Sequence, residues 1–294
     1  MAEQSKDAAN FIGVHFFSPV DKMMLVEIIM GEKTADPALA VALDYVRAIR
    51  KTPIVVNDSR GFYTSRVVGT YIREGHLMLT EGIPAAMIEN VGRMAGMPVG
   101  PLSLNDEVAV DLAWKILKAT EADLGPDAVD ARQKALLQEM VEKRGRYGRK
   151  NGKGFYDYPE KGPKKLWPGL ADLQAKTLTA DEIDQAGGGL VQELKQRFLV
   201  IQALETARCF EEGVLTDVRE ADVGSILGFG YAPYAGGTLS YIDMMGAKRF
   251  VELCKALEKK YGARFKPAKL LTEMAAKGDT FYRRFAPGRE RKAA

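Results

Sequence analysis

Short apolar runs and one amphipathic segment alternate over the first sixty residues. Residues 11–17 and 23–29 are rich in aromatic and β-branched side chains, and the segment between them contains Pro19. Because proline donates no backbone hydrogen bond, it is typical of a turn and not of a central strand. Residues 36–50 have apolar positions at helical spacing, and residues 52–56 form a third apolar run. This order predicts strand, strand, helix, strand, which is too little for an independent domain and favours the edge of a larger sheet.

After the third run the apolar spacing becomes helical. Residues 66–81 carry an apolar stripe that ends at Gly82, and glycine commonly follows the last residue of a helix. Two more helical patterns cover residues 84–94 and 105–119. The chain is therefore predicted to be mainly α, with a small α/β segment at its beginning.

The second half of the sequence partly repeats the first. Three matched pairs share one offset of 131 positions, namely Arg66 with Arg197, Glu74 with Glu205, and Glu81 with Glu212. Further on the offset grows to 137, which matches Asp106 with Asp243. Ordered matches of this kind are typical of a duplicated helical unit, although chance similarity between helical sequences is the alternative.

Composition narrows the classes of function. The 294 residues have a formal net charge of only +3 with dispersed basic residues, which does not indicate nucleic acid binding. Cys209 and Cys254 lie far apart, so free thiols in a reducing cytoplasm fit better than a disulfide framework or a metal site. No apolar run approaches the length of a membrane span, and the first ten residues have no signal-peptide core. We expect a soluble cytoplasmic protein.

One pair of residues has the spacing of a proton-transfer site. In a hairpin centred on Asp21, His15 and Glu27 face each other with Cβ atoms about 4.5–5.5 Å apart. A carboxylate that holds an imidazole fixes its tautomer and stabilises the imidazolium formed during proton transfer. Spacing alone leaves a structural ion pair open as the alternative. The other histidine, His76, lies in a charged helical segment and is expected to have a surface or packing role.

Several ordered motifs resemble the 3-hydroxyacyl-CoA dehydrogenase family. They are His15-Phe-Phe-Ser-Pro-Val20, Gly61-Phe-Tyr-Thr-Ser-Arg66, Gly96-Met-Pro-Val-Gly-Pro101 and Gly152-Lys-Gly-Phe-Tyr156. Within that family, residues 17–22 and 57–65 are most similar to the multifunctional α subunit of β-oxidation complexes, which carries two tandem C-terminal domains. The resemblance covers nearly the whole chain.

The resemblance implies four segments. They are the terminal strands of a truncated NAD-binding Rossmann-like domain in residues 1–58, a first helical dehydrogenase C-terminal domain in 59–160, a linker in 161–180 and a second helical repeat in 181–288. A dinucleotide domain opens with a strand, a GxGxxG turn and a helix that receives the pyrophosphate, and no such turn precedes His15. Gly187-Gly188-Gly189 follows no predicted strand and is interpreted as a flexible connection. We therefore expect either a natural truncation or a misassigned start, with the activity of the chain alone left open.

The activity implied by the resemblance is oxidation of an L-3-hydroxyacyl-CoA to the 3-ketoacyl-CoA, with NAD as hydride acceptor and no metal. His15 would remove the hydroxyl proton, and Glu27 would orient and charge-balance His15. Ser65 stands where the family often has asparagine and would contact the substrate. Ser18 also stands where asparagine is frequent and would lie by the nicotinamide of the cofactor. The implied partners are an acyl-CoA substrate and a thiolase β subunit, in a homo- or hetero-oligomer.

A function of another class is also compatible with the sequence. Without a GxGxxG turn, the helical repeats could form a non-catalytic module that binds acyl-CoA or thiolase, or that dimerises. The retention of both His15 and Glu27 favours the enzyme, whereas the missing glycine turn favours the module.

Overall fold

The computed structural model describes residues 2–174 and 176–285, which are mainly helical with one three-stranded and one two-stranded sheet. The strands are β1 (Gly13–Phe16), β2 (Leu25–Met30), β3 (Thr52–Asn57), β4 (Tyr156–Asp157) and β5 (Lys165–Leu166). The helices are α1 (Asp36–Ala48), α2 (Thr64–Thr80), α3 (Ala85–Met94), α4 (Pro101–Val108), α5 (Val110–Leu124), α6 (Ala131–Gln138), α7 (Ala180–Glu211), α8 (Val218–Phe229), α9 (Thr238–Met245), α10 (Ala247–Tyr261), α11 (Lys269–Lys277) and α12 (Phe281–Arg284). Among the helices of these two ranges, none is long and apolar enough to cross a membrane.

The chain divides into two compact units. One comprises the residues up to Gly69 together with those from Leu199 onwards, and the other is Thr70–Phe198. The boundaries fall inside α2 and inside α7, so each unit contains residues from both halves of the sequence. Residues 286–288, the last three of the segment predicted as 181–288, lie outside the described residues.

The three-stranded sheet of the first unit is built around β2. Strand β1 pairs with it antiparallel, and β3 pairs with it parallel after the crossover through α1. The register sets Gly13 opposite Ile29 and His15 opposite Glu27. The predicted order of strands and helix and the predicted hairpin register are confirmed.

Strand β2 is buried on both of its faces. On one face it packs against α1 in an apolar cluster formed by Val26, Ile28, Ala42 and Val46. A strand covered on both sides has no polar face, which explains why its sequence is a nearly continuous apolar run and not an alternating one.

The other face of the sheet lies against α8, and two glycines permit the close approach. A Cβ at Gly224 would lie 2.7 Å from Cδ1 of Ile54 and 2.9 Å from Cε1 of Tyr63. A Cβ at Gly228 would lie 2.7 Å from Cδ2 of Leu25. These distances are shorter than van der Waals contact, so the helix can occupy this position because both residues lack a side chain.

The outer edge of β3 is paired with residues from the second half of the sequence. The backbone N–H of Asn57 donates to the carbonyl of Val214 at 2.9 Å, and its side-chain amide donates to the carbonyl of Gly213 at 2.7 Å. The carboxylate of Glu220 accepts from the backbone N–H of Val55 at 3.1 Å. Backbone groups that an additional strand would otherwise bind are therefore satisfied within the unit.

One predicted helix is wrong in its extent. The pattern predicted a single helix over residues 105–119, but Ala109 has a φ of 90° and separates α4 from α5. A non-glycine residue with positive φ is uncommon and does not alter the spacing of apolar positions in the sequence.

In α7, Gly187 has non-helical dihedral angles and marks a kink between two helical segments, so the triple glycine connects them without a loop.

Two sets of carboxylates are bound in the same manner in the two units. In the Thr70–Phe198 unit, Glu89 accepts from the backbone amides of Leu102 and Ser103 and from the Tyr156 hydroxyl. In the other unit, Asp222 accepts in the same way from the backbone amides of Leu239 and Ser240 and from the Tyr282 hydroxyl. Asp106 accepts from the amides of Phe155 and Tyr156, and Asp243 from those of Phe281 and Tyr282. The same contacts therefore occur twice in the chain.

Ion pairs of the long helices also occur in matched form. Arg66 binds Glu205 and Glu212 in one unit, whereas Arg197 binds Glu74 and Glu81 in the other. Each arginine from one half of the sequence thus pairs with the two glutamates from the other half. The arginine and glutamate positions are those related by the offset of 131.

We expect Gly224→Ala to destabilise the protein even though alanine forms helices better than glycine. Overpacking against Ile54 and Tyr63 typically costs about 1–3 kcal/mol, which exceeds the gain in helix propensity of about 0.5–1 kcal/mol. Gly69 in α2 is the matched control, because nothing lies within 4 Å of a Cβ built there. Gly69→Ala should raise the free energy of unfolding. Urea unfolding of both variants measures the difference, and a more stable Gly224→Ala protein would contradict the tight packing of α8.

Candidate active site

The sheet register brings His15 and Glu27 into contact across the β1–β2 hairpin. Nδ1 of His15 lies 2.6 Å from Oε2 of Glu27. The side chain of His15 is 30% exposed, whereas that of Glu27 is fully buried. The pair therefore has one end in the protein interior and one end open to a ligand.

Glu27 accepts further hydrogen bonds from the beginning of α2. Its Oε1 accepts from the backbone N–H groups of Tyr63 at 3.2 Å and Thr64 at 2.8 Å, and its Oε2 accepts from Oγ1 of Thr64 at 2.8 Å. Backbone N–H groups at a helix N-terminus favour a negative charge. All of these contacts are satisfied together when Glu27 accepts from each partner and His15 carries its ring proton on Nδ1, and we assign the network in this way.

Nε2 of His15 is consequently the atom that can act as a base. With the ring proton on Nδ1, a neutral imidazole has its lone pair on Nε2. Within the described part of the chain, no residue makes a hydrogen bond to Nε2. A ring held in this way can take a proton from a hydroxyl group and return it in the reverse direction.

Two phenylalanine rings flank the imidazole. The ring centroids of Phe17 and Phe62 lie 4.7 Å and 5.7 Å from that of His15. Phe62 has a φ of 51° and follows Gly61, whose φ is 78°. These two positive φ angles turn the chain sharply, so that Phe62 reaches the imidazole while the next two amides point at Glu27. A phenylalanine in this conformation is strained, and such strain is common where a functional group must be placed.

The buried side chain of Tyr63 holds the turn at Gly61–Phe62 against α8. Its side chain is fully buried, its hydroxyl donates to the carbonyl of Ala221 at 2.7 Å, and its ring packs edge-to-face on Phe229 with centroids 6.1 Å apart. Because both partners belong to α8, this helix fixes the position of the amides that bind Glu27.

The two predicted ligand contacts, Ser18 and Ser65, are not hydrogen-bonded to the His15–Glu27 pair. Ser18 lies in the turn between β1 and β2, Ser65 lies in the first turn of α2, and both are exposed. Neither makes a hydrogen bond to His15 or Glu27. Thr64, which does bind Glu27, was not among the predicted site residues. A hydroxyl residue at the predicted beginning of a helix was the signal that could have indicated it.

The other histidine has a packing role in the Thr70–Phe198 unit. His76 is fully buried, its Nε2 lies 2.9 Å from Oδ1 of Asn105, and its ring stacks on Phe155. Burial lowers the pKa of His76 to about 4, so this ring stays neutral near pH 7. Over residues 2–174 and 176–285, no group of three or more His, Cys, Asp or Glu side chains could hold a metal ion.

Comparison with known proteins adds two family matches. Residues 1–59 match the NAD binding domain of 3-hydroxyacyl-CoA dehydrogenase, and residues 61–158 match the C-terminal domain of the same family. Curated relatives include the fatty acid oxidation complex subunit alpha of Shewanella amazonensis, which is 40% identical over 277 residues, or 93% of this chain and 37% of the relative. The Shewanella loihica protein of the same name is 38% identical over 96% of this chain and 38% of its own length. The chain thus spans less than two fifths of these relatives.

Solved structures with a similar fold include two dehydrogenases. The 3-hydroxybutyryl-CoA dehydrogenase of Escherichia coli matches with a TM-score of 0.74 and 22% identity, over 94% of this chain and 72% of that chain. The dehydrogenase part of multifunctional enzyme 1 from C. elegans matches with a TM-score of 0.62 and 23% identity, over 92% of this chain and 61% of that chain. At this level of identity, the two structures establish a shared fold.

We expect Glu27→Gln to reverse the tautomer of His15. The amide nitrogen of glutamine can only donate, so Nδ1 of His15 would accept from it and the ring proton would move to Nε2. The opposite amide orientation is disfavoured, because it would set this nitrogen against two backbone N–H groups. Nitrogen NMR of the histidine-labelled protein reports the tautomer, with the buried His76 as an internal reference. Glu107→Gln, which removes an exposed partner of Arg149, should leave both histidines unchanged. An Nδ1–H tautomer that persists in Glu27→Gln would contradict the assigned network.

Proposed function

This chain belongs to the 3-hydroxyacyl-CoA dehydrogenase family, and on that premise we propose that it oxidises an L-3-hydroxyacyl-CoA to the 3-ketoacyl-CoA in fatty-acid oxidation. The observation that supports this most is the His15–Glu27 pair, in which Nδ1 is bound 2.6 Å from a buried carboxylate and Nε2 is left available. The reaction removes one proton from the hydroxyl on carbon 3 and one hydride from that carbon. It therefore needs a base of this kind beside a hydride acceptor.

His15 moves the proton in the proposed reaction. Its Nε2 takes the hydroxyl proton as the hydride leaves carbon 3, and the ring becomes an imidazolium that still donates through Nδ1 to Glu27. The carboxylate balances the new positive charge without taking the proton, because four donors already occupy its two oxygens. In the reverse direction, the imidazolium is the acid that protonates the ketone oxygen.

NAD, which the family implies, supplies the hydride acceptor when it is bound. The residues of this chain fit such a cofactor only in part. His15 is partly exposed and Ser18 is exposed in the turn that follows β1, but the 294 residues contain no GxGxxG turn to bind the pyrophosphate. Proton transfer is therefore the part of the reaction that this chain's own residues account for.

We propose Ser65 as a contact of the substrate and Ser18 as a contact of the cofactor. Both side chains are exposed, so their hydroxyl groups can bind a ligand. Ser65 follows Thr64 at the beginning of α2, next to the residues that bind Glu27. A serine reaches less far than the asparagine that the family often has at this position, and its contact would be correspondingly weaker.

We further propose that the helical part of the chain is a tandem pair of dehydrogenase C-terminal domains. These are residues 59–160 and 181–288, joined by a linker in 161–180 and preceded by strands of a Rossmann-like domain in 1–58. The twofold occurrence of the buried carboxylate contacts and of the Arg66 and Arg197 ion pairs supports this duplication. In each set the partners come from equivalent positions of the two halves.

The partners proposed for this chain follow from its family and relatives. We propose an acyl-CoA as the ligand and cytoplasm as the location. The curated relatives are named as the alpha subunit of a fatty acid oxidation complex, which supports an oligomer. We propose a thiolase β subunit as a partner from the family resemblance alone.

The 294-residue chain by itself should not bind NADH with micromolar affinity. The reason is the missing glycine turn and helix N-terminus for the pyrophosphate, and not a defect at His15. Titration calorimetry with NADH measures this directly, and a CoA ester titrated in parallel reports whether the ligand-binding helices are intact. Micromolar binding of NADH would show that the chain binds the dinucleotide without a GxGxxG turn.

In a protein that joins this chain to a complete dinucleotide-binding domain, His15→Gln should lower kcat by about 10²–10⁴-fold. Glutamine keeps much of the shape of histidine but cannot take the proton, so binding of the CoA ester should persist. Oxidation of NADH with acetoacetyl-CoA is the assay. His76→Gln is the matched control, which should reduce stability but leave turnover per folded molecule near the parental value. Near-parental turnover in His15→Gln would contradict the proposed catalytic role, and the His15–Glu27 pair would then be a structural contact between two strands.

A further inference from the structure

We propose that Thr64 is a positioning residue for the reaction, and that its hydroxyl holds the Glu27 carboxylate in the orientation that keeps His15 in its Nδ1–H form. This inference rests on the proposed function, because it concerns the same pair. Thr64 would act through Glu27 and would not touch the substrate.

The first support is the double contact of Thr64 with one carboxylate. Its backbone N–H donates to Oε1 of Glu27, and its Oγ1 donates to Oε2, both at 2.8 Å. Oε2 is the same oxygen that accepts from Nδ1 of His15 at 2.6 Å. Thr64 therefore binds both oxygens and fixes the plane of the carboxylate, whereas a backbone amide alone fixes one oxygen.

The second support is the packing that sets the direction of the hydroxyl. Thr64 is 1% exposed, and a Cβ at Gly228 would lie 3.0 Å from its Cγ2 methyl group. The methyl group thus faces the space that Gly228 leaves open in α8. Because a β-branched side chain has few allowed rotamers, placing the methyl group there directs the hydroxyl towards Glu27.

The neighbouring hydroxyl cannot take over this role. Ser65 is exposed at the beginning of α2 and makes no hydrogen bond to Glu27. Without the hydroxyl of Thr64, Oε2 would keep a single donor in a site closed to water. The carboxylate could then turn about its last side-chain bond, and its hydrogen bond to His15 would break more often.

The test uses nitrogen-labelled histidine in the full chain and needs no cofactor or turnover. We expect Thr64→Val, which keeps the shape and removes the hydroxyl, to speed exchange of the His15 Nδ1–H proton with water by about 2- to 10-fold, the factor that corresponds to one hydrogen bond. The Nε2–H tautomer should become detectable in the ring nitrogen shifts. Thr64→Ser, which restores the hydroxyl, should return both signals to the parental values.

Thr120→Val is the matched control, since it removes a threonine hydroxyl that donates at 2.9 Å to the carbonyl of Ile116 in α5. It should leave the signals of His15 unchanged. Unchanged or slower exchange in Thr64→Val would overturn the proposal, as would a failure of Thr64→Ser to restore the parental signals. If Thr64→Val and Thr64→Ala both fail to fold while Thr64→Ser folds, the hydroxyl serves folding and the positioning role is wrong. None of these results changes the kcat prediction for His15→Gln, so the failures of the two proposals are distinguishable.

Discussion

A negative charge buried at Glu27 is the constraint on which the rest of the site depends. Burying a carboxylate is very unfavourable unless hydrogen bonds replace those that it made to water. Here the replacements come from three separate parts of the chain, which are the His15 ring on β1, the amide of Tyr63 in the turn, and the amide and hydroxyl of Thr64 on α2. Removal of any one leaves the charge undercompensated, so β1, β2 and the beginning of α2 stabilise one another's positions.

Carboxylates bound by backbone amides recur elsewhere in the chain, but without a histidine. Asp106 and Asp222 each accept from two successive amides and from a tyrosine hydroxyl. Burial raises the pKa of Asp106 to about 6 and also raises that of Asp222, while the hydrogen bonds act in the opposite direction. These groups fix loops and helix beginnings. The arrangement at Glu27 differs because one of its donors is a titratable ring with a second nitrogen open to a ligand.

The sequence predicted those features that depend on regular spacing. The His15–Glu27 contact followed from hairpin symmetry, since opposed residues in an antiparallel pair are determined by the centre of the turn. The division of the 105–119 helix at Ala109 was not predictable, because it depends on a positive φ that tertiary contacts impose on an ordinary residue. Thr64 is a hydroxyl residue at a predicted helix beginning, which was a signal for a binding role. That its partner is Glu27 depends on the distance between α2 and β2, which no local pattern encodes.

The close approach of α8 to the sheet has a consequence for how this sequence can vary. The space left by Gly228 is shared by the side chains of Thr64 and Leu25, so the three positions are not free to change independently. An alanine at position 228 would need Leu25 to move, because its Cδ2 lies 2.7 Å from the new Cβ. A serine at position 64 would remove the second contact, at 3.0 Å to the methyl group, and keep the hydroxyl. A valine at position 64 would fill the same space and remove the donor. A change at one of these three positions therefore limits which side chains the other two can hold while the buried carboxylate keeps its ligands.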